Sequence, residues 1–182
     1  MELDLVERAR AGDVEAFTSL MENRFEQMFR TAMAILGNEA DARDATQEAV
    51  TAMWQGLPGL RQPASFDGWS RRIILNACRM RLRRRRTAGG REISLALFGA
   101  GLAPGGSSSR PGPSDQIVHK DLLERAFERL NAHERTVLVL HHLEDRPLSD
   151  VSLLLGVPVG TVKSRLHAAR KSLERALERE SR

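Results

Sequence analysis

With 182 residues, 41% of them hydrophobic, the chain can form one domain or two small ones, and it has too little mass for large sheets. Its formal net charge of +4 balances 28 Lys and Arg against 24 Asp and Glu, but the signs are segregated: residues 68–91 hold nine Arg and no acid, residues 37–50 four acids and one Arg. One basic surface for a polyanion and one acidic surface for a different partner follow from this, while the lone Cys78 excludes an intrachain disulfide framework and fits a reducing compartment.

The opening, MELDLVERARAGD, is charged and lacks an apolar signal core, and no later run approaches membrane-spanning length. A soluble cytoplasmic protein with no membrane insertion of its own is expected. Residues 1–86 carry helical periodicity with short breaks and no alternating pattern long enough for a strand. Within them, GNEADARDATQEAVTAMW offers Asn38 as an N-cap and places Asp41 in the first helical turn, where the helix dipole favours an acid. Asp41, Asp44 and Glu48 fall on one face; Ala45, Ala49 and Met53 take another, with Val50 and Trp54 beside them. Unpaired acids stacked in this way repel one another, so they read either as a charged surface serving solubility or as a docking face for a basic helix. A metal site is not expected, because no clustered His or Cys joins the acids.

Residues 60–86, LRQPASFDGWSRRIILNACRMRLRRRR, follow a short polar loop with a helix beginning at Ser65 or Asp67. Trp69, Ile73, Asn76 and Met80 line one side of it, and Arg72, Arg79, Arg83 and Arg86 form a basic stripe. A cationic stripe with Phe66 and Trp69 near its start suits single-stranded nucleic acid, the charge following the backbone and the rings meeting unstacked bases. The Pro-stiffened loop could shape a pocket for an extruded base. Trp69 at helical spacing also fits a core position, and the arginines alone would give nonspecific affinity.

From Thr87 to Ser114 the chain turns to Gly, Pro and Ser, the composition of a flexible tether, interrupted by the apolar segment Ile93–Phe98. Its residues would span about 90 Å stretched and about 30 Å as a random coil. The apolar segment reads as a docking turn against one module or as a piece that enters a partner's channel.

Residues 115–182 are helical again. Ser114 can cap a helix bearing Leu123, Phe127 and Leu130, and Asn131–Glu134 has the form of a capping box before Val137, Leu138 and Leu140. Pro147 suits a first-turn position, Leu148, Val151, Leu154 and Leu155 make one buried face, and Gly156 can take the left-handed conformation that ends a helix. After Pro158 the last helix turns Val162, Leu166 and Leu173 inward, leaving Lys163, Ser164, His167, Arg170 and Lys171 on other faces. Two short helices around a Gly-containing turn, the second basic, describe a helix-turn-helix whose first turns could reach base edges in a major groove.

The order of these pieces resembles the extracytoplasmic-function class of bacterial sigma factors over nearly the whole chain. DARDATQEAVTAMW resembles the family's core-binding segment, SFDGWSRRIILNACRMRLRR its −10 segment, and VSLLLGVPVGTVKSRLHAARKSL its −35 segment. The resemblance implies an all-α chain of two small domains, residues 1–86 and 115–182, joined by the flexible linker 87–114. It implies that Asp44, Gln47 and Glu48, with Asp41 and Trp54, contact the clamp helices of the polymerase largest subunit, the flap region being a second contact. Arg61, Gln62, Ser65 and Phe66, with Asn76 below, would hold a flipped −10 base beside Arg72, Arg79 and Arg83. Thr161, Lys163, Ser164, Arg165, His167, Arg170 and Lys171 would face the −35 groove. Promoter DNA, core RNA polymerase and an inhibitory anti-sigma factor are the implied partners; no cofactor and no catalytic residue is implied. The chain departs from the family pattern at Met80, where Asp is frequent, at Ala168, where a basic residue is frequent, at His141 and His142, and around Pro147 and Ser149.

The chain has no Tyr and only 4% aromatic residues, which predicts opening by base pocket and charge and a stringent promoter requirement. Two other readings stand beside this one. A free-standing helix-turn-helix regulator would have little use for the acidic helix, and a hydrolase built on His141, His142 and Glu144 conflicts with adjacent histidines pointing about 100° apart on a helix.

Overall fold

A computed structural model of the chain describes residues 2–22, 24–88 and 115–180. The described residues are helical with short connections and contain no strand, and their contacts sort into two units. The tether with its apolar segment 93–98 and the Ser114 cap lie outside the described residues, as do the side chains of residues 86–88 and 115–121. Helix continues through Thr87 and Ala88, two residues beyond the expected end of the first domain.

The first unit comprises α1 (Glu2–Arg10), α2 (Val14–Glu22), α3 (Phe25–Leu36), α4 (Glu39–Gly56) and α5 (Phe66–Ala88). Two 3₁₀ turns, Leu57–Gly59 and Pro63–Ser65, link α4 to α5. α4 is its central element, packed by α3 and α5. Its buried face consists of Ala42, Ala45, Thr46, Ala49 and Met53, mostly small side chains that let neighbouring helices approach closely. The hydroxyl of Thr46 donates to the Ala42 carbonyl at 2.8 Å, so burying it leaves no donor unpaired. Val6, Phe17, Leu20, Ile35, Leu36, Ile74 and Leu75 are buried in the same unit. Asn38 caps α4 as expected, its side chain accepting from the Asp41 amide at 3.0 Å.

The buried face of α5 differs from the one the sequence suggested. Phe66, Ser70, Ile74, Leu75 and Cys78 point inward, whereas Met80 is 47% exposed and Asn76 is exposed. Trp69 is half-buried, close enough to Gly56 that a Cβ there would come within 3.1 Å of Trp69 Cζ2. The lone thiol of Cys78 is pushed up to about 12 by burial, which keeps it protonated and unreactive.

The second unit comprises α6 (Asp115–Glu128), α7 (Ala132–Leu138), α8 (Leu148–Leu155) and α9 (Val159–Glu180). Leu130, Val137, Leu138, Leu166 and Ala169 form its core, with Phe127, Leu148, Leu155 and Leu173 packed against it. Leu123, expected on the same stripe, is 47% exposed. Asn131 and Glu134 form the expected capping box, each reaching the other's backbone amide at 3.0 Å. Beyond Leu138 the helix loosens into a π turn, Val139–Leu143, and ends at Asp145, which carries a φ of 50°. Pro147 sits one place before the first turn of α8, with extended backbone, and no side chain caps that helix.

Candidate nucleic-acid interface and docking face

The turn between α8 and α9 is built by four residues. Gly156 adopts φ 66°, a conformation that a Cβ disfavours, and its amide donates to Ser152 O at 2.9 Å. Val157 N donates to the same carbonyl at 3.2 Å, while the Ser152 hydroxyl donates back to Val157 O at 2.5 Å. Pro158 then supplies the carbonyl that accepts from Val162 N at 3.1 Å, and α9 begins. Val162 and Leu166 face the core, so the helix is fixed in rotation with Lys163, Ser164, His167, Arg170 and Lys171 exposed. Thr161 and Arg165 are half-buried at the margin of that face. Ser164 Oγ donates to Thr161 O at 3.0 Å.

Arg170 reaches a partner that its position in the sequence does not announce. Its Nε and Nη2 lie 3.3 and 3.1 Å from His142 Nε2, on the π turn before α8. His141 is engaged separately, its Nδ1 2.8 Å from the Arg146 carbonyl. The two imidazoles therefore serve one backbone and one side-chain contact.

In the first unit the loop from Leu60 to Phe66 presents a polar stretch between two buried ends. Leu60 is 8% and Phe66 2% exposed, while Arg61, Gln62 and Ser65 lie on the surface between them. The Ser65 amide donates to Gln62 O at 2.9 Å, closing the 3₁₀ turn that Pro63 opens. Phe66 does not offer its ring outward as expected: it stacks at 5.8 Å against Trp69 and beneath the guanidinium of Arg24 at 5.0 Å. Arg72, Arg79 and Arg83 are exposed along α5, and Arg79 Nη1 donates to Asn76 Oδ1 at 3.3 Å.

The acidic face of α4 is not the unpaired stack that its sequence suggested. Arg81 of α5 bridges Asp44 at 3.0 Å and Glu48 at 2.6 Å; Arg84 also reaches Glu48 at 3.0 Å, and Arg85 pairs with Asp41. Charge repulsion within the stack is thereby relieved inside the unit. Asp44 and Glu48 stay 49% and 39% exposed, so each retains lone pairs for an outside donor. Together with Gln47, Thr51, Ala52, Gln55 and Arg81 they line a shallow open groove. Gln47 is exposed, and Trp54 lies 36% exposed two turns on, its ring 5.0 Å from that of Phe17.

Sequence reasoning missed the arginines that tie these pieces together. Arg24 precedes α3, yet its side chain joins Glu2 of α1 and, at 3.1 Å, Asp67 of α5. An isolated Arg outside any amphipathic stripe leaves no periodic signal, so nothing short of the fold could place it.

Two family descriptions match the chain: "Sigma-70 region 2" over residues 20–88 and "Sigma-70, region 4" over residues 120–173. The chain is 30% identical to the ECF RNA polymerase sigma factor SigM of Mycobacterium tuberculosis, the match covering 92% of this chain and 80% of that one. It is 26% identical to the ECF RNA polymerase sigma factor SigW of Bacillus subtilis, over 94% of each. Its fold is similar to that of the sigma factor RpoE from Bartonella quintana, solved with the anti-sigma factor NepR. There the TM-score is 0.67 at 20% identity, over 91% of this chain and 98% of that one.

Proposed function

This chain belongs to the extracytoplasmic-function class of the sigma-70 family of RNA polymerase sigma factors, and on that premise we propose how its residues divide the work. Asp44, Gln47 and Glu48, flanked by Asp41 and Trp54, dock α4 on the clamp helices of the polymerase largest subunit. Arg61, Gln62 and Ser65, with Asn76, hold an extruded −10 base above the Phe66 floor, and Arg72, Arg79 and Arg83 follow the strand. Thr161, Lys163, Ser164, Arg165, His167, Arg170 and Lys171 turn toward the −35 major groove. The bond-making chemistry belongs to polymerase, so this chain acts as an initiation factor in the cytoplasm, where the template is. No helix among the described residues is long and apolar enough to cross a membrane. An inhibitor of the anti-sigma kind, such as the one bound to the Bartonella quintana relative, would mask the docking faces until needed.

The observation that carries this reading is the Gly156 turn, which holds an exposed basic helix at a fixed rotation in one unit while the other unit presents an acidic groove. A free-standing regulator needs only the former. Core polymerase binding, followed by co-elution, tests the assignment. Gln47→Arg sets a positive charge on the docking face against a basic partner without breaking an internal ion pair, and it should weaken co-elution about tenfold, the effect of about 1.4 kcal/mol. Equal co-elution of the variant and the native chain would remove α4 from the interface.

A further inference from the structure

We propose that α1, which precedes the segment matched to region 2, is a positioning element for −10 recognition, with Arg10 as its key residue; this rests on the function proposed above. The base-holding loop is short, and its exposed residues can select a base only if its backbone is held in place. Each end of the loop is gripped by an arginine. At the entry, Arg10 Nη1 of α1 donates to the Leu60 carbonyl at 3.3 Å. At the exit, Arg24 lies over the Phe66 ring at 5.0 Å and pairs with Asp67 at 3.1 Å, while its other nitrogen joins Glu2 of α1. Asp67 is shared further with Arg71 at 3.2 Å. α1 also packs against both 3₁₀ turns, the one that precedes the loop and the one within it.

These contacts are not what the core of the unit requires. Leu60 and Phe66 are buried apolar side chains, and α1 already buries Val6 and Ala9. The arginine contacts fix instead the angle at which Arg61, Gln62 and Ser65 leave the protein. The Leu60 carbonyl is the last backbone acceptor before Arg61. Arg10 therefore sets the start of the base-holding stretch without touching the base.

The test uses the full chain with core polymerase and a library of promoter duplexes randomised over the −10 element, scored by sequencing of run-off transcripts. Arg10→Ala should lower the enrichment of the preferred −10 bases over their alternatives about threefold to tenfold, the worth of one net hydrogen bond. Preference at the −35 element and binding of core should stay as in the native chain. Arg10→Lys, which can still donate to the Leu60 carbonyl, should restore most of the selectivity, an outcome that loss of folding alone would not give. Native −10 selectivity in Arg10→Ala, or equal loss in both variants, would overturn the proposal. No run-off product from the native chain would instead overturn the function on which it rests.

Discussion

Arg170 donates to Nε2 of His142, an arrangement that requires that nitrogen to be unprotonated. Burial, with further contributions from His141 and Arg170, holds the His142 imidazole below its ordinary value. The sign follows from linkage: a depressed folded value means that the unfolded chain takes up the proton first. The contribution is therefore whole above the ordinary histidine range and is lost as pH falls through it toward the folded value. Urea midpoints of the chain should fall between about pH 7.5 and about pH 5.5, and His142→Gln should flatten that slope. A slope unchanged by the substitution would mean that other groups carry it. The same proton would turn His142 from an acceptor into a cation beside Arg170, freeing a side chain of the −35 face. Phe66 teaches a second lesson at this scale. Its place beside Trp69 suggested a ring for stacking bases, but an aromatic that starts a helix against Arg24 is worth more to the unit buried.

Between elements, the α4–α5 ion cluster decides how the acidic face behaves. Asp41, Asp44 and Glu48 look unpartnered in the sequence because their partners, Arg81, Arg84 and Arg85, lie more than thirty residues away and within a run that reads as a nucleic-acid stripe. The run in fact splits: Arg72, Arg79 and Arg83 stay on the exposed side while Arg81 turns inward, its Nε buried with no hydrogen-bond partner. Helical spacing in the sequence carries that split, but only the packing of α5 against α4 reveals which side is which. Removing Arg81 takes away the ion pair of Asp44 and one of the two made by Glu48, while Arg84 still reaches Glu48 and Arg85 still pairs with Asp41. Arg81→Gln is expected to lower the stability of the chain by about 1 kcal/mol, the upper end for partly exposed pairs. It should at the same time tighten core binding, because Asp44 is released from Arg81 and Glu48 keeps only Arg84 as an internal competitor. Urea melts and a core-binding titration check the two halves; weaker core binding would show that Arg81 organises the docking face rather than occupying it. The caps of the second unit were legible without the fold. Asn131–Glu134 and Gly156 act through local hydrogen bonds and a local φ, which neighbouring residues specify.

At the level of the whole chain, fold class and the helix-turn-helix came from periodicity and turn chemistry, which are local. Of the loop proposed for −10 reading, the polar stretch stood out in the sequence, whereas the arginines that contact its ends, Arg10 at the end of α1 and Arg24 ahead of α3, lie far off along the chain. Few aromatic side chains are available to trap melted bases, and Phe66 is withdrawn from that number. On the proposed assignment, opening would rely on the loop and on charge, and a demanding promoter requirement is the expected outcome in transcription from point-mutated −10 elements. On the same assignment, charge segregation would do the rest, since acids turned to polymerase and arginines turned to template would not compete.

The central claim is that one polypeptide joins polymerase through α4 and reads two promoter elements through its two units. Run-off transcription by purified core enzyme, with and without the chain, on a promoter library randomised at both elements tests it most directly. The account predicts defined start sites that need the chain and a preferred sequence at both the −10 and the −35 position. Transcripts that are unchanged by the chain, or that show no sequence preference at either element, would contradict it.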